Sequence, residues 1–196
     1  MGQYDLDNLR LQLHSAVDAK RFEHSVGVSY TAAALAMVYD SSSDFIHKAL
    51  VAGLLHDNAK CLSDSDLYLY SQKAGIEITE SEKNTPFLLH GKLGAYYARK
   101  DYGIEDEDIL NAITWHTTGR PDMSLLEKII FTADYIEPGR TKQKNLCELR
   151  KLAFCNLDRC VYRISDDTLE YLSAKSQSID SMTVRTRDFY KKYNRG

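Results

Sequence analysis

An all-α fold is predicted by three features of this 196-residue sequence: few backbone breakers, apolar residues recurring at steps of three and four, and no stretch of strict alternation. Three prolines and ten glycines are too few for the turns of a β sandwich, and 43% apolar residues suffice for a buried core.

A first helix is expected at 5–19. The second, 21–39, gathers His24, Val28, Thr31, Leu35 and Val38 on one face. The third, 44–57, sets Ala49, Gly53 and His56 on one row, with Ile46, Leu50, Gly53 and Asp57 on the adjacent one. A fourth lies at 64–74. Before 86–102, Thr85 and Pro86 supply a cap and a first-turn proline. The helix at 105–117 opens on Glu105, Asp106, Glu107 and Asp108, charges that favour the free amides of a helix start, and aligns Ile109, Ile113 and His116. Ser124-Leu-Leu-Glu127 is a capping box leading into 124–136, where Leu126, Ile130 and Asp134 share a stripe. Helices at 145–154, 157–175 and 181–193 follow. With no repeat, low-complexity tract or long linker, residues 1–196 read as one domain, its core at about 20–140.

A net charge of −3 gives the whole chain no attraction for nucleic acid or an anionic membrane, so a polyanionic substrate would need local cations. The longest mostly apolar run, Val26 to Tyr39, is too short to span a bilayer and too deep in the chain for a signal peptide. Cys61, Cys147, Cys155 and Cys160 form neither a CxxC pair nor a secreted framework, and read as reduced packing thiols in a cytoplasmic protein. Exposed tyrosines among the thirteen leave room for a homodimer.

The informative residues are polar groups on apolar stripes. A carboxylate there is costly unless a cation or several hydrogen bonds compensate it. One bound metal would reconcile Asp57 and Asp134 with the histidines, since imidazole and carboxylate from separate helices suit a divalent transition metal. Each residue also has a plain reading. A single histidine on an apolar face is more often a hydrogen-bonded core residue; Asp57 could cap the following turn, and Asp134 could accept bonds from the chain near Gly139. His14 and His47 lack such a setting and read as surface or structural residues.

The series His24, His56-Asp57, Asp134 resembles the signature of the HD-domain metal-dependent phosphohydrolases, which are all-α helical bundles. Ala52-Gly-Leu-Leu-His-Asp-Asn-Ala-Lys60, His116-Thr-Thr-Gly-Arg120 and Lys128-Ile-Ile-Phe-Thr-Ala-Asp-Tyr-Ile-Glu-Pro-Gly-Arg140 resemble the YqeK group within it, over roughly residues 20–190. That group splits diadenosine tetraphosphate symmetrically into two ADP. The resemblance implies iron held by His24, His56, Asp57 and Asp134, with His90 and His116 as ligands of a second metal ion. It also implies nucleotide contacts from Arg21, Phe22, Glu23, His24, His90, His116, Thr117 and Arg140, and from a C-terminal stretch through Gln177, Ser178, Ile179, Asp180, Ser181 and Met182 that helps complete the nucleotide site. The group's motif there resembles Ile-His-Pro-x-Thr-x-x-x-Arg-Asn. Thr183 and Arg187 keep their places, whereas Asp180, Ser181 and Asp188 replace His, Pro and Asn.

No P-loop and no nucleophilic Ser or Cys motif is present, so hydrolysis by a metal-activated hydroxide attacking an inner phosphorus, with ADP leaving, is the simplest chemistry. Asp57 could bridge two ions. His90 and His116 either complete a second metal site or hold the phosphate chain and protonate the leaving oxygen. Arg140 is the first choice for gripping phosphate oxygens, with Arg21 and Lys60 behind it. The competing readings are another HD phosphohydrolase, such as a mononucleotide 5'-nucleotidase, and a non-catalytic nucleotide-binding protein.

Overall fold

In the computed structural model, which describes residues 4–194, the chain is a helical bundle with no strand among those residues. Its helices are α1 (Leu6–Ala16), α2 (Ala19–Tyr39), α3 (Ser43–Leu55), α4 (Asp64–Lys73), α5 (Glu80–Asn84) and α6 (Leu89–Lys100). They continue with α7 (Glu107–Trp115), α8 (Leu125–Ile136), α9 (Leu146–Ala153), α10 (Leu157–Ala174) and α11 (Ser181–Tyr190). Short 3₁₀ turns occupy Pro86–Leu88 and Lys191–Asn194.

Most helix starts carry an explicit cap. Asp18 accepts from the Arg21 amide and separates α2 from α1; Asp106 accepts from Asp108 and Ile109 at the head of α7. The capping box at Ser124 and Glu127 forms as read from the sequence. Two expectations are corrected. Thr85 makes no capping bond, because its amide closes α5 on the Ser81 carbonyl, and Pro86 opens a 3₁₀ turn ahead of α6. Helix α5, a single turn with a capping box of its own at Thr79 and Glu82, carries no apolar period and lies between the helices expected at 64–74 and 86–102.

Helix α2 lies along α3, and α8 packs across α2, α7 and α10. One continuous core runs from Leu9 in α1 to Tyr190 in α11, with Leu35, Leu55, Ile113 and Ile130 fully enclosed. A smaller cluster of Ala59, Leu67, Leu89 and Leu93 joins α4 to α6. The α2 stripe departs from expectation at its end. Val38 is exposed, while Ala32, Leu35 and Ala36 continue the buried row to Tyr39, whose hydroxyl donates to the Ala153 carbonyl. Of the four free cysteines only Cys160 is a packing group; Cys61, Cys147 and Cys155 are exposed.

The α2–α3 contact sets the depth of the site. A Cβ at Gly53 would stand 2.7 Å from the backbone Cα of Ser29, so the two helices meet with nothing but glycine between them. Gly53→Ala is therefore expected to destabilise the fold by about 1–3 kcal/mol through overpacking. Thermal melting should fall by roughly 2–4 °C for each kcal/mol; an unchanged midpoint would contradict so close a contact.

Candidate metal centre and active site

Five elements deliver the polar groups to one place. His24 comes from the second turn of α2, His56 and Asp57 from the turn that ends α3, and His90 from the first turn of α6. His116 caps the end of α7, and Asp134 lies in the last turn of α8. These four histidines and Asp57 are buried or nearly so.

The imidazoles share one orientation. Nδ1 of His56 lies 2.7 Å from the Gly53 carbonyl, Nδ1 of His90 2.5 Å from that of Phe87, and Nδ1 of His116 2.7 Å from that of Ile113. A carbonyl can only accept, so each Nδ1 carries the proton and each Nε2 turns inward. His24 follows the same rule with a carboxylate, its Nδ1 donating to Glu137 Oε1 at 3.1 Å.

The four inward nitrogens surround two carboxylates. Asp134 Oδ1 stands 2.9 Å from His24 Nε2 and 3.7 Å from His56 Nε2. Asp57 Oδ2 stands 3.3 Å from His56 Nε2 and 3.7 Å from His24 Nε2. The other oxygen of Asp57 faces His116 Nε2 at 3.2 Å and His90 Nε2 at 3.4 Å. Asp57 thus addresses two pairs of imidazoles with its two oxygens.

The carboxylates draw positive charge from every side. Arg21 reaches Asp57 Oδ2 and Arg140 reaches Asp134 Oδ1, each at 2.5 Å. Burial opposes charge on both carboxyls, but His56 and Lys60 beside Asp57, and His24, His56 and Arg140 beside Asp134, hold them well below the usual carboxylate range. Burial also pushes the His56 imidazole down, but Asp57 and Asp134 outweigh it and raise that group to about 9. His90 and His116 are pushed down by burial, His90 further by Lys60 and His116.

These residues fit a metal. His56 Nε2 and Asp57 Oδ1 are buried and make no hydrogen bond among the described residues, although potential ligands surround them. The ligand atoms of His24, His56 and Asp134, and those of His56, Asp57 and His116, each lie within 4.8 Å of one another. His90 Nε2 and His116 Nε2 face each other at 3.1 Å, two acceptors that a cation or a shared donor must reconcile. Imidazole nitrogen with carboxylate oxygen is the donor set of a divalent transition ion, and ring N–H groups anchored on carbonyls are what such ligands require.

A family model described as "HD domain" matches residues 21–139, which contain all of these ligands. The chain belongs to the HD-domain family. Among curated relatives, it is 40% identical over 170 residues to the protein named bis(5'-nucleosyl)-tetraphosphatase, symmetrical, of Halalkalibacterium halodurans, covering 85% of this chain and 86% of that one. It is 38% identical to the protein of the same name in Bacillus subtilis, covering 85% and 87%. A crystal structure described as a predicted HD superfamily hydrolase involved in NAD metabolism, from Clostridium acetobutylicum, superposes with a TM-score of 0.91. It is 40% identical and covers 98% of this chain. The HD-domain resemblance read from the sequence, and the all-α fold it implied, are thereby established.

The remaining expected residues divide into three groups. Thr117 Oγ1 lies 3.0 Å from both His90 Nε2 and His116 Nε2, and Lys60 Nζ lies 2.7 Å from His90 Nε2 and 3.6 Å from Asp57 Oδ1. Beside Thr117 opens a cavity of about 260 Å³ between α5, α6, the end of α7 and the head of α11, where Asp180, Ser181 and Met182 line the wall with Trp115 and Lys92. Elsewhere the expected contacts separate. Phe22 packs into the core edge-on against His14, Glu23 is exposed, and Gln177 and Ser178 point into solvent. Ile179 lines a different groove with Asp166 and Arg187, and Asp180 caps α11 through the Met182 amide. Among these HD-domain residues, Glu137 carries no expected role in the sequence. It follows the end of α8, where helical periodicity stops giving a direction. The bonds expected near Gly139 go to Glu137, whose Oε2 accepts from the Gly139 amide, while Asp134 receives Arg140.

Two outcomes test the centre. Dialysed protein should retain a divalent transition metal that Asp57→Ala or Asp134→Ala loses while keeping its helical circular dichroism; equal metal content in the variants would dissociate these residues from binding. At pH 7.5, loading should also release a proton from His56, because its raised value must be overcome before Nε2 can ligate, and apparent affinity should climb with pH toward about 9. Calorimetry in buffers of different ionisation enthalpy reads that proton. A buffer-independent enthalpy would contradict it.

Proposed function

We propose that the chain is a metal-dependent hydrolase that cleaves diadenosine tetraphosphate symmetrically into two ADP, using His24, His56, Asp57 and Asp134 as metal ligands. Iron is the proposed ion, and Asp57 Oδ1 with His90 and His116 the proposed position of a second. The observation that carries this reading is the ring of cations around the ligand carboxylates. Arg21 and Arg140 rest on Asp57 and Asp134, and Lys60 reaches Asp57 and His90, on a protein whose net charge is −3. Such a ring suits a chain of phosphates, and the relatives named as symmetrical tetraphosphatases indicate which one.

A divalent ion held by this donor set supplies the chemistry the side chains lack: it lowers the pKa of a water toward neutrality and polarises a phosphoryl oxygen. The protein's own groups orient the substrate. Arg140 and Arg21 exchange their carboxylate partners for non-bridging phosphate oxygens, which the planar guanidinium matches in pairs. Lys60 and Thr117 hold oxygens on the opposite side. Burial keeps His90 and His116 proton acceptors, which favours ligation over proton donation. Water oxygen joins one inner phosphorus as the bond from that phosphorus to the bridging oxygen breaks, and the water's protons pass to solvent. The bridging oxygen departs with the other ADP, whose phosphate accommodates the charge without a strong acid.

The cavity beside Thr117 is proposed to receive one nucleoside, so that Asp180, Ser181 and Met182 at the head of α11 complete the nucleotide site of a single domain. Phe22, Glu23, Gln177, Ser178 and Ile179, which the resemblance also implied, do not line that cavity. We place the enzyme in the cytoplasm, as a monomer or homodimer acting on a free nucleotide, not on nucleic acid or membrane. Consistent with this, no helix among the described residues is long and apolar enough to cross a bilayer.

Purified protein supplied with iron(II) and diadenosine tetraphosphate should yield ADP alone; AMP with ATP, or nucleoside with phosphate from a mononucleotide, would refute the proposal. Asp57→Ala should abolish turnover. Arg140→Ala should mainly weaken nucleotide binding, by about 1.5–3 kcal/mol for a lost charge-assisted contact; an unchanged affinity would remove Arg140 from the phosphate site.

A further inference from the structure

We infer that Glu137 is a positioning residue that fixes His24 for metal ligation and couples that ligand to the turn bearing Arg140. The inference rests on the reading of His24 as a ligand. Glu137 is 4% exposed, just past the end of α8, and both of its oxygens are engaged. Oε1 accepts from His24 Nδ1 at 3.1 Å, and Oε2 accepts from the Gly139 amide at 2.5 Å. The other three inward-facing histidines are each anchored on a neutral backbone carbonyl three residues upstream. His24 alone among them donates to a carboxylate, from a different helix, across 113 residues of chain. A carboxylate at Nδ1 makes Nε2 a stronger donor than a carbonyl does, and removing such a partner weakens metal binding substantially.

The surroundings are shaped around this carboxylate. A Cβ on Gly27, one turn along α2 from His24, would stand 2.8 Å from Oε2, and one on Gly139 would stand 2.9 Å from the same atom. Two glycines on different elements therefore leave the space the carboxylate fills. Arg150 of α9 closes the turn from outside, donating to the carbonyls of Ile136, Glu137 and Arg140. The Arg140 amide returns to the Glu137 carbonyl at 2.9 Å, and its guanidinium reaches Asp134 and His24 Nε2. One side chain thus sets the ring plane of His24 and the path of the loop carrying the phosphate-gripping arginine.

Cobalt(II), titrated against a competing chelator and followed by its visible absorption, tests this on the full chain. Glu137→Gln keeps the volume, but it puts an NH2 donor in place of one of the two accepting oxygens, facing the N–H of either His24 or Gly139. Gly27→Ala keeps the Glu137 side chain and its charge, adds a better helix former to α2, and displaces Oε2 sterically. Both variants are expected to bind cobalt about 10–100-fold more weakly than the unaltered protein. Both should show a changed absorption band, with the helicity of the metal-free protein preserved. Unchanged affinity and spectrum in both, beside an unaltered protein that binds cobalt, would overturn the role of Glu137 and leave the metal centre standing. Failure of the unaltered protein to bind would instead bring down the metal centre, and this inference with it.

Discussion

Two carboxylates, Asp57 buried and Asp134 partly buried between helices, with four imidazole nitrogens turned toward them, constrain this molecule more than any other feature. Burying one unpaired carboxylate costs several kcal/mol, and here two lie within reach of the same His56 nitrogen. The structure meets that cost with positive charge. A proton is held on His56, guanidinium groups lean in from α2 and from the loop after α8, and an ammonium comes from the turn after α3. A divalent ion would satisfy the same demand from one central point and free the arginines for a ligand.

The fold is arranged so that these groups can meet. His56 and Asp57 arrive together because α3 ends on them, and α3 reaches that depth because Gly53 lets it lie against the backbone of α2. His90 begins α6 and His116 ends α7, so both project from helix termini, where the chain can turn inward without breaking a helical ladder. Backbone carbonyls one turn back then fix the rings of His56, His90 and His116 with no further side chain. Helix α11 is held to the same region, since Thr186 donates to the Thr118 carbonyl and packs on Gly119, where a Cβ would stand 2.6 Å from the Thr186 methyl.

What the sequence reveals follows from what periodicity encodes. Apolar spacing tells which side of a helix is buried, so His24, His116 and Asp134 are recognisable as polar groups on core stripes, and His56-Asp57 as a pair at a helix end. Spacing is silent once the helix stops. Glu137 and Arg140 sit in a loop that Arg150 from α9 closes from outside, a contact no local pattern announces. Helix α5 escapes because one turn of polar residues has no period, although Thr79 and Glu82 carry its cap. The C-terminal stretch shows another limit. Its resemblance runs through 177–182 without telling which side chains share a wall: Gln177 and Ser178 are exposed before α11, and Asp180, Ser181 and Met182 line the cavity.

The most direct test of this account is an anomalous-difference map from crystals of the protein grown with a divalent transition metal. A peak within about 2.0–2.2 Å of His24 Nε2, His56 Nε2 and oxygens of Asp57 and Asp134 is the expected result, with Arg21 and Arg140 drawn off the carboxylates. Guanidinium groups still seated on Asp57 and Asp134, with no density between the imidazoles at saturating metal, would contradict it.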